Sequence, residues 1–361
     1  MFGQKDFRCP RILRNSGRVA ALAVALLTGT AAQAEIIKVD DMVRGISMSR
    51  PQCNAIEHTV WVRVDGGEFC VRYYLSTAGG EGRRPVVFLQ GDKFGRLDLK
   101  TWTWKDHGNT KDVNTENLQG TADAFSKRAK TTAIYLARIG VDGTSGNHTA
   151  RKTLLELHLV HAALDAIKQR HGFEGFHLAG QSGGSKLVGG LIVLRNDIGC
   201  AVAGSGPMAQ KKSASSADPA RSFFDPSEHI PEIMHKRWMR LIVVTDPQDK
   251  TVAADMQSGY VAKLRQAGGQ IEQYFVSGTD ENHHGVVDFT NFAIAGCVLG
   301  RSSADIGRAL GVVTARNNDW NAMRAAEANI GGRGVQRAAG QELRPMPPRL
   351  QPLPSRPGSQ Y

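Results

Sequence analysis

The chain is 361 residues long, enough for one large domain or two ordinary ones around a substantial buried core. Its formal charge of +11 is unevenly spread: residues 1–34 hold five basic side chains against one acidic, and residues 300–361 hold nine against four, leaving +2 for everything between. A basic leader and a basic tail around a nearly neutral body exclude a nucleic-acid-binding domain, although the tail can touch an anionic surface.

Residues 1–34 read as a secretory leader. Lys5, Arg8, Arg11, Arg14 and Arg18 charge its start, residues 19–27 form a short apolar run, and Ala32-Gln33-Ala34 is a small-x-small cleavage signal. That run is too short for a comfortable membrane span, and no later segment is long and apolar enough for one. Cleavage near Ala34 and export, to a periplasm or out of the cell, are expected. The remaining cysteines, Cys53, Cys70, Cys200 and Cys297, allow three pairings. Cys53–Cys70, flanking a hairpin, and Cys200–Cys297, tying a central strand region to the last core helix, are preferred. Disulfides are the expected state in an oxidising compartment.

After the leader, residues 36–76 look strand-rich, with "HTVWVRV" and "EFCVRYYLS" joined by Asp65-Gly66-Gly67 as a hairpin. Residues 85–90 form a buried strand, 117–130 have helical composition, and "TTAIYLARIG" is a second buried strand. Residues 149–171 give the clearest helix: Leu154, Leu157, His158, His161, Leu164 and Ile167 repeat at three- and four-residue steps, and Gly172 stops it. His158 and His161 have a spacing that can hold a metal, but ordinary helical histidines are the commoner reading, and no zinc-type spacing occurs. "FEGFHLAG" is a third strand, followed by a helix over 185–195 and a fourth strand, "GCAVAGSG". Residues 207–239 are irregular, a candidate lid or pocket wall whose Phe223, Phe224 and Trp238 line a pocket or pack on the sheet. "RLIVVTD", a helix near 252–267, "IEQYFV" and a helix to about residue 299 complete an alternating pattern. That alternation predicts an α/β fold: a mostly parallel sheet with helices on both faces and an antiparallel N-terminal edge. Beyond it come a helix over 318–329 and a proline-rich, disordered end holding six of the fourteen prolines. The layout is a leader (1–34), a catalytic domain (35–299, with 207–239 as lid), and a helical extension with a Pro/Arg-rich tail (300–361) whose partner is unknown.

Gly-Gln-Ser-Gly-Gly at 180–184 is a weak pattern by itself in a chain with 40 glycines. Its context strengthens it, because a strand runs into it and a helix leaves it. Such a turn lifts Ser182 above the sheet and points helix N–H groups at a forming oxyanion. A nucleophilic serine needs a base, and the base needs a carboxylate, in the order Ser, acid, His. Asp246 and Asp249 follow "RLIVVT"; Asp249 is preferred as the acid, with Asp246 as a turn residue. His283 and His284 follow "IEQYFV"; His284, beside Gly285, is preferred as the base. Gly183 N–H and Asp92 N–H are the expected oxyanion donors, although a carboxylate at residue 92 must point away from the hole.

These segments resemble the α/β-hydrolase superfamily and, more narrowly, the catalytic domain of the prolyl oligopeptidase and dipeptidyl peptidase group. The likeness rests on Gly-Gln-Ser-Gly-Gly, on Asp249-Lys-Thr-Val252, and on Thr279-Asp-Glu-Asn-His-His-Gly-Val286; "ARIGVDGTSGNH" adds a similar glycine-rich loop. The resemblance implies an α/β-hydrolase fold and a Ser182–Asp249–His284 triad without cofactor or metal. Gln90-Gly91-Asp92 departs from the family's His-Gly, and no tyrosine follows Gly91. The expected function is therefore an exported serine hydrolase that cleaves an ester, less readily a peptide or amide, of a small-molecule or peptide substrate. The alternatives are a non-catalytic hydrolase-like binding protein of the envelope and a peptidase of the prolyl oligopeptidase type.

Overall fold

The computed structural model describes residues 35–98, 100, 101, 103, 104, 110–209 and 222–315. The expected leader, the middle of the expected lid and the expected helix over 318–329 with its tail lie outside them. Among the described residues the principal sheet has eight strands: β1 (Thr59–Val64), β2 (Gly67–Ser76), β3 (Val86–Leu89), β4 (Ala133–Leu136), β5 (Phe176–Gln181), β6 (Ile198–Gly204), β7 (Arg240–Thr245) and β8 (Glu272–Phe275). Their order across the sheet is β1-β2-β4-β3-β5-β6-β7-β8. Only β2 runs against the rest: it pairs antiparallel with β1 and β4, and every other pair is parallel. This is the α/β-hydrolase architecture, with the expected antiparallel edge.

Strand alternation divides the core in two. Val87 and Leu89 of β3, Leu178 of β5 and Val243 of β7 face one side, with α2 (Leu154–His171), α3 (Gly183–Leu194) and α4 (Ala254–Gln266) packed over them. Val86 and Phe88, Ala179, and Ile242 and Val244 face the other side, under α1 (Thr115–Ala129), α5 (Val287–Val298) and α6 (Ser303–Ala315). Buried on both faces, the central strands read as unbroken apolar runs. Both expected disulfides are present: Cys53–Cys70 beside the β1–β2 hairpin, and Cys200–Cys297 between β6 and α5.

The sequence expectation differs from the structure at both ends. The stretch expected to be strand-rich holds two short helices, Val39–Arg44 and Arg50–Asn54, before β1. The second starts at a capping box in which Ser49 and Gln52 satisfy each other's backbone N–H, a local signal for a helix. The hairpin turn is Asp65-Gly66 alone: Val64 pairs with Gly67, and both turn residues have the positive φ of a two-residue hairpin. At the other end, α6 buries Ile306 and Leu310, so packed structure continues past residue 299.

The chain leaves β3 toward β4 on one side and leaves β5 toward β6 on the other. The carboxyl ends of β3 and β5 therefore flank the point where the winding reverses, the crevice in which open α/β sheets bind ligands. Gly91 and Ser182 stand there.

Candidate active site

Ser182 connects β5 to α3 with φ 53° and ψ −120°, outside the regions an L-residue ordinarily occupies. Such a conformation costs on the order of 1–3 kcal/mol and persists only where the surroundings impose it. Here close packing does so. A Cβ on Gly180 would lie 2.5 Å from the Gly184 carbonyl oxygen, and one on Gly184 would lie 2.0 Å from the Leu89 carbonyl oxygen. The two glycines are thus required by close approach, since neither has positive φ. Ser182 N–H donates to Gly204 O at 2.9 Å, and Ser185 Oγ lies 2.7 Å from both Gly180 O and Gly204 O, pinning the turn to β6. The helix begins at Gly183, two residues before the expected start, so its unpaired first N–H groups arise immediately after Ser182.

The loops after β7 and β8 are tied together by side-chain and backbone hydrogen bonds. Asp249 Oδ1 accepts the N–H groups of Thr251 and Val252 at 2.8 Å each, and the carboxylate meets His284 Nδ1 at 2.8 Å. Lys250 N–H donates to Asn282 O at 2.9 Å. Asp246 accepts the N–H groups of Gln248 and Gly278 and pairs with His283 Nδ1 at 3.0 Å. His283 is not a free surface residue, and Asp246 does more than close a turn. Within the β8 loop, Asp280 Oδ1 accepts the N–H groups of His284 and Gly285 at 2.7 and 2.9 Å. Burial works to raise the Asp280 carboxyl, but these two backbone bonds pull it below its usual range. Gln181, the residue before Ser182, donates from Nε2 to His284 O at 2.6 Å and so ties this loop to the turn. Asp249 thus engages Nδ1 of His284 with both of its oxygens, at 3.0 and 2.8 Å, and neither oxygen contacts Nε2.

The loop after β3 passes directly over the turn. A Cβ on Gly91 would meet Ser182 Cβ at 3.1 Å. The Asp92 side chain is held by Arg138 Nη1 at 2.9 Å, Lys152 Nζ at 2.7 Å and Arg151 Nε at 3.4 Å. It lies against Gly183, where a Cβ would come 2.1 Å from Asp92 Oδ1. The carboxylate therefore stays beside the turn with three cations around it. Sequence reasoning did not single out Arg138, Arg151, Lys152 or Glu156 of this cluster.

Of the expected lid, the described parts hold a short 3-10 turn, Pro226–Glu228, and a helix, Ile230–Met234. Phe224 is buried against α3 near Gly190 and stacks on His229, so it packs the core. Phe223 and Trp238 are half-buried, and the Lys186 ammonium lies 5.8 Å from the Phe223 ring centre. Burial lowers the Lys186 amine to about 8. His158 pairs with Asp65 at 3.0 Å, and His161 lies between Asp165 and Arg195, so neither points at the other as a metal pair would.

Solved structures similar to the chain include the following. An esterase of Pyrococcus furiosus matches with a TM-score of 0.48 and 13% identity over 70% of this chain and 96% of its own. The protein Est1E of Butyrivibrio proteoclasticus, solved with ferulic acid bound, gives 0.44 and 12% over 66% and 98%. An acylaminoacyl peptidase of Pyrococcus horikoshii gives 0.43 and 11% over 64% of this chain and 38% of its own. No family model matches the chain, and no curated protein matches it.

Proposed function

We propose that the protein is an exported serine hydrolase that cleaves carboxylic esters through an acyl-enzyme on Ser182. The observation that carries this reading is a connected set of contacts. His284 Nδ1 rests on Asp249 at 2.8 Å, and its carbonyl is held at 2.6 Å by Gln181, the neighbour of a serine in a strained strand–helix turn. In this reading Ser182 Oγ attacks the ester carbonyl as its proton passes to His284 Nε2, and Asp249 stabilises the imidazolium. The Gly183 and Asp92 N–H groups bind the oxyanion. The alcohol leaves with the proton from His284, and water, deprotonated by the same imidazole, releases the acid and restores Ser182.

Esters are favoured over amides because no tyrosine follows Gly91 and no element for gripping a peptide amine is recognisable in the sequence. Export is supported by the leader-like residues 1–34 and by two disulfides that require an oxidising compartment to persist.

A fluorophosphonate probe tests the nucleophile: wild-type protein is labelled, and Ser182→Ala is not. Absence of labelling in oxidised wild-type protein overturns the assignment. A panel of p-nitrophenyl esters of graded chain length, run beside aminoacyl-p-nitroanilides, reads the ester preference.

A further inference from the structure

As they leave β3, residues 90–95 are held by side chains from the segment 138–156. Arg138 Nη1 donates both to Gln90 O at 3.1 Å and to Asp92 Oδ1 at 2.9 Å. Arg151 donates from Nη1 to Phe94 O and from Nη2 to Gly95 O, each at 2.8 Å. Lys152 Nζ reaches the other oxygen of Asp92 at 2.7 Å. Three cations thus bind a single loop, and all three converge on one carboxylate.

That carboxylate is in an awkward place. Asp92 lies against Gly183, and an uncompensated negative charge there opposes any oxyanion forming between the Gly183 and Asp92 N–H groups. Burial works to raise the Asp92 carboxyl, yet Lys152, Arg138 and Arg151 outweigh it and hold the group well below the ordinary carboxylate range. The charge therefore persists, and the cations have to cancel it.

Behind the cations stands a common anchor. Glu156 is fully buried and takes Arg138 in two parallel bonds, from Nε and Nη2 at 2.9 Å each. The same carboxylate accepts the Lys152 N–H, and the Lys152 carbonyl accepts the Phe224 N–H at 3.3 Å. Lys152 has φ 63°, a left-handed conformation that a lysine adopts only under constraint.

We propose that Lys152 and Arg138, anchored together on Glu156, are positioning residues for the oxyanion loop, holding the Asp92 N–H beside Gly183 while cancelling the charge of the Asp92 carboxylate. The charge-cancelling half rests on the serine-hydrolase reading; the loop-holding half does not. Arg138 is a poor test because its loss leaves Glu156 buried and unpaired, which threatens folding. Lys152 is partly exposed and serves better.

The experiment compares wild type, Lys152→Met, Lys152→Arg, Asp92→Asn and the double variant Asp92→Asn/Lys152→Met, each as the full disulfide-bonded chain. Two quantities are read: the fluorophosphonate labelling rate, and hydrogen exchange of the amides in 90–95 by mass spectrometry. Lys152→Met is expected to slow labelling by about 10–100-fold, somewhat less than loss of an oxyanion donor, while Lys152→Arg stays within about 3-fold of wild type. The double variant is expected to label about tenfold faster than Lys152→Met, because the uncompensated charge has gone with its partner. Exchange in 90–95 rises about tenfold in Lys152→Met and is unchanged over 176–190. A double variant no faster than Lys152→Met overturns charge cancellation, and unchanged exchange overturns loop positioning. If wild type is not labelled while exchange responds, the hydrolase reading and charge cancellation fail and loop holding stands. If every variant labels like wild type, charge cancellation fails and the hydrolase reading stands, and the exchange of 90–95 alone decides loop holding.

Discussion

Asp246 and His283 form a second carboxylate–imidazole pair, at 3.0 Å, directly beside the Asp249–His284 pair at 2.8 Å. The two differ in what else the carboxylate holds. Asp246 also accepts the Gly278 and Gln248 N–H groups and so fixes the start of the β8 loop, whereas Asp249 accepts N–H groups only from its own turn. The first pair shapes the loop, and in the proposed mechanism the second orients the His284 imidazole. Asp249→Asn is therefore expected to lower kcat on an activated ester by about 10⁴-fold through loss of the correct tautomer. Asp246→Asn should keep kcat within about tenfold of wild type but lose about 1–3 kcal/mol in urea denaturation, since one side-chain amide cannot accept all three bonds equally well. The reverse pattern would make Asp246 the catalytic acid.

Two glycine substitutions separate steric need from mere abundance. Gly184→Ala places a methyl 2.0 Å from the Leu89 carbonyl oxygen, a backbone atom that cannot step aside. It is expected to abolish fluorophosphonate labelling and to cost about 3 kcal/mol or more, as overpacking with a backbone shift does. Gly120, exposed in the middle of α1, has nothing within 4 Å of its would-be Cβ. Gly120→Ala should raise stability by about 0.5–1 kcal/mol through helix propensity, with activity unchanged. A destabilising Gly120→Ala would overturn the open, helical setting of this position.

Acid stability follows from half-buried, ion-paired carboxylates. Asp92 is depressed well below its usual value, and Asp197 is depressed as well: burial works to raise it, but hydrogen bonds from Arg195 and Lys168 prevail. A depressed folded pKa contributes stability that is fully present above the unfolded value of about 3.9 and is lost as pH falls through the folded value. Denaturation midpoints should fall as pH drops below the unfolded value of about 3.9, more steeply in wild type than in Asp92→Asn and Asp197→Asn. An unchanged slope in both variants would remove these two groups from the acid limb.

The Cys200–Cys297 bridge closes a loop of sequence separation 97, the Cys53–Cys70 bridge one of 17. Loop-closure entropy gives about 4.7 kcal/mol for the first and about 3 kcal/mol for the second. Cys200→Ala/Cys297→Ala is expected to lower Tm more than Cys53→Ala/Cys70→Ala by differential scanning calorimetry. An equal or reversed order would show that strain or residual unfolded-state structure outweighs loop length.

Much of this arrangement was legible in the chain because its signals are local. The apolar runs of β3 to β7 mark strands buried on both faces, and Gly172 ends α2 in the left-handed conformation that glycine favours. The spacing of Gly180, Ser182 and Gly184 encodes a steric fact about one turn. What escaped notice is non-local. Glu156 three residues after Thr153 reads as an ordinary helix-start pair, and Thr153 Oγ1 does accept its N–H. Nothing nearby shows that its carboxylate reaches Arg138, 18 positions away in the loop after β4. Lys152 looks like one more surface cation until its left-handed backbone is seen. The reach of Asp246 is hidden for the same reason: its partners Gly278 and His283 lie beyond an entire helix and strand. The helix α6 carries buried Ile306 and Leu310, but its short amphipathic pattern is weak without α5 beside it.

Glu156 carries a consequence for engineering. Grafting the 90–95 loop onto another scaffold transfers its backbone but leaves behind the guanidinium and ammonium groups that hold it, since these sit on 138–152, where Glu156 of α2 fixes the Arg138 guanidinium and the Lys152 backbone N–H. The transplantable unit is therefore two loops and a helix start, and variants selected in one loop will carry compensating changes in the other.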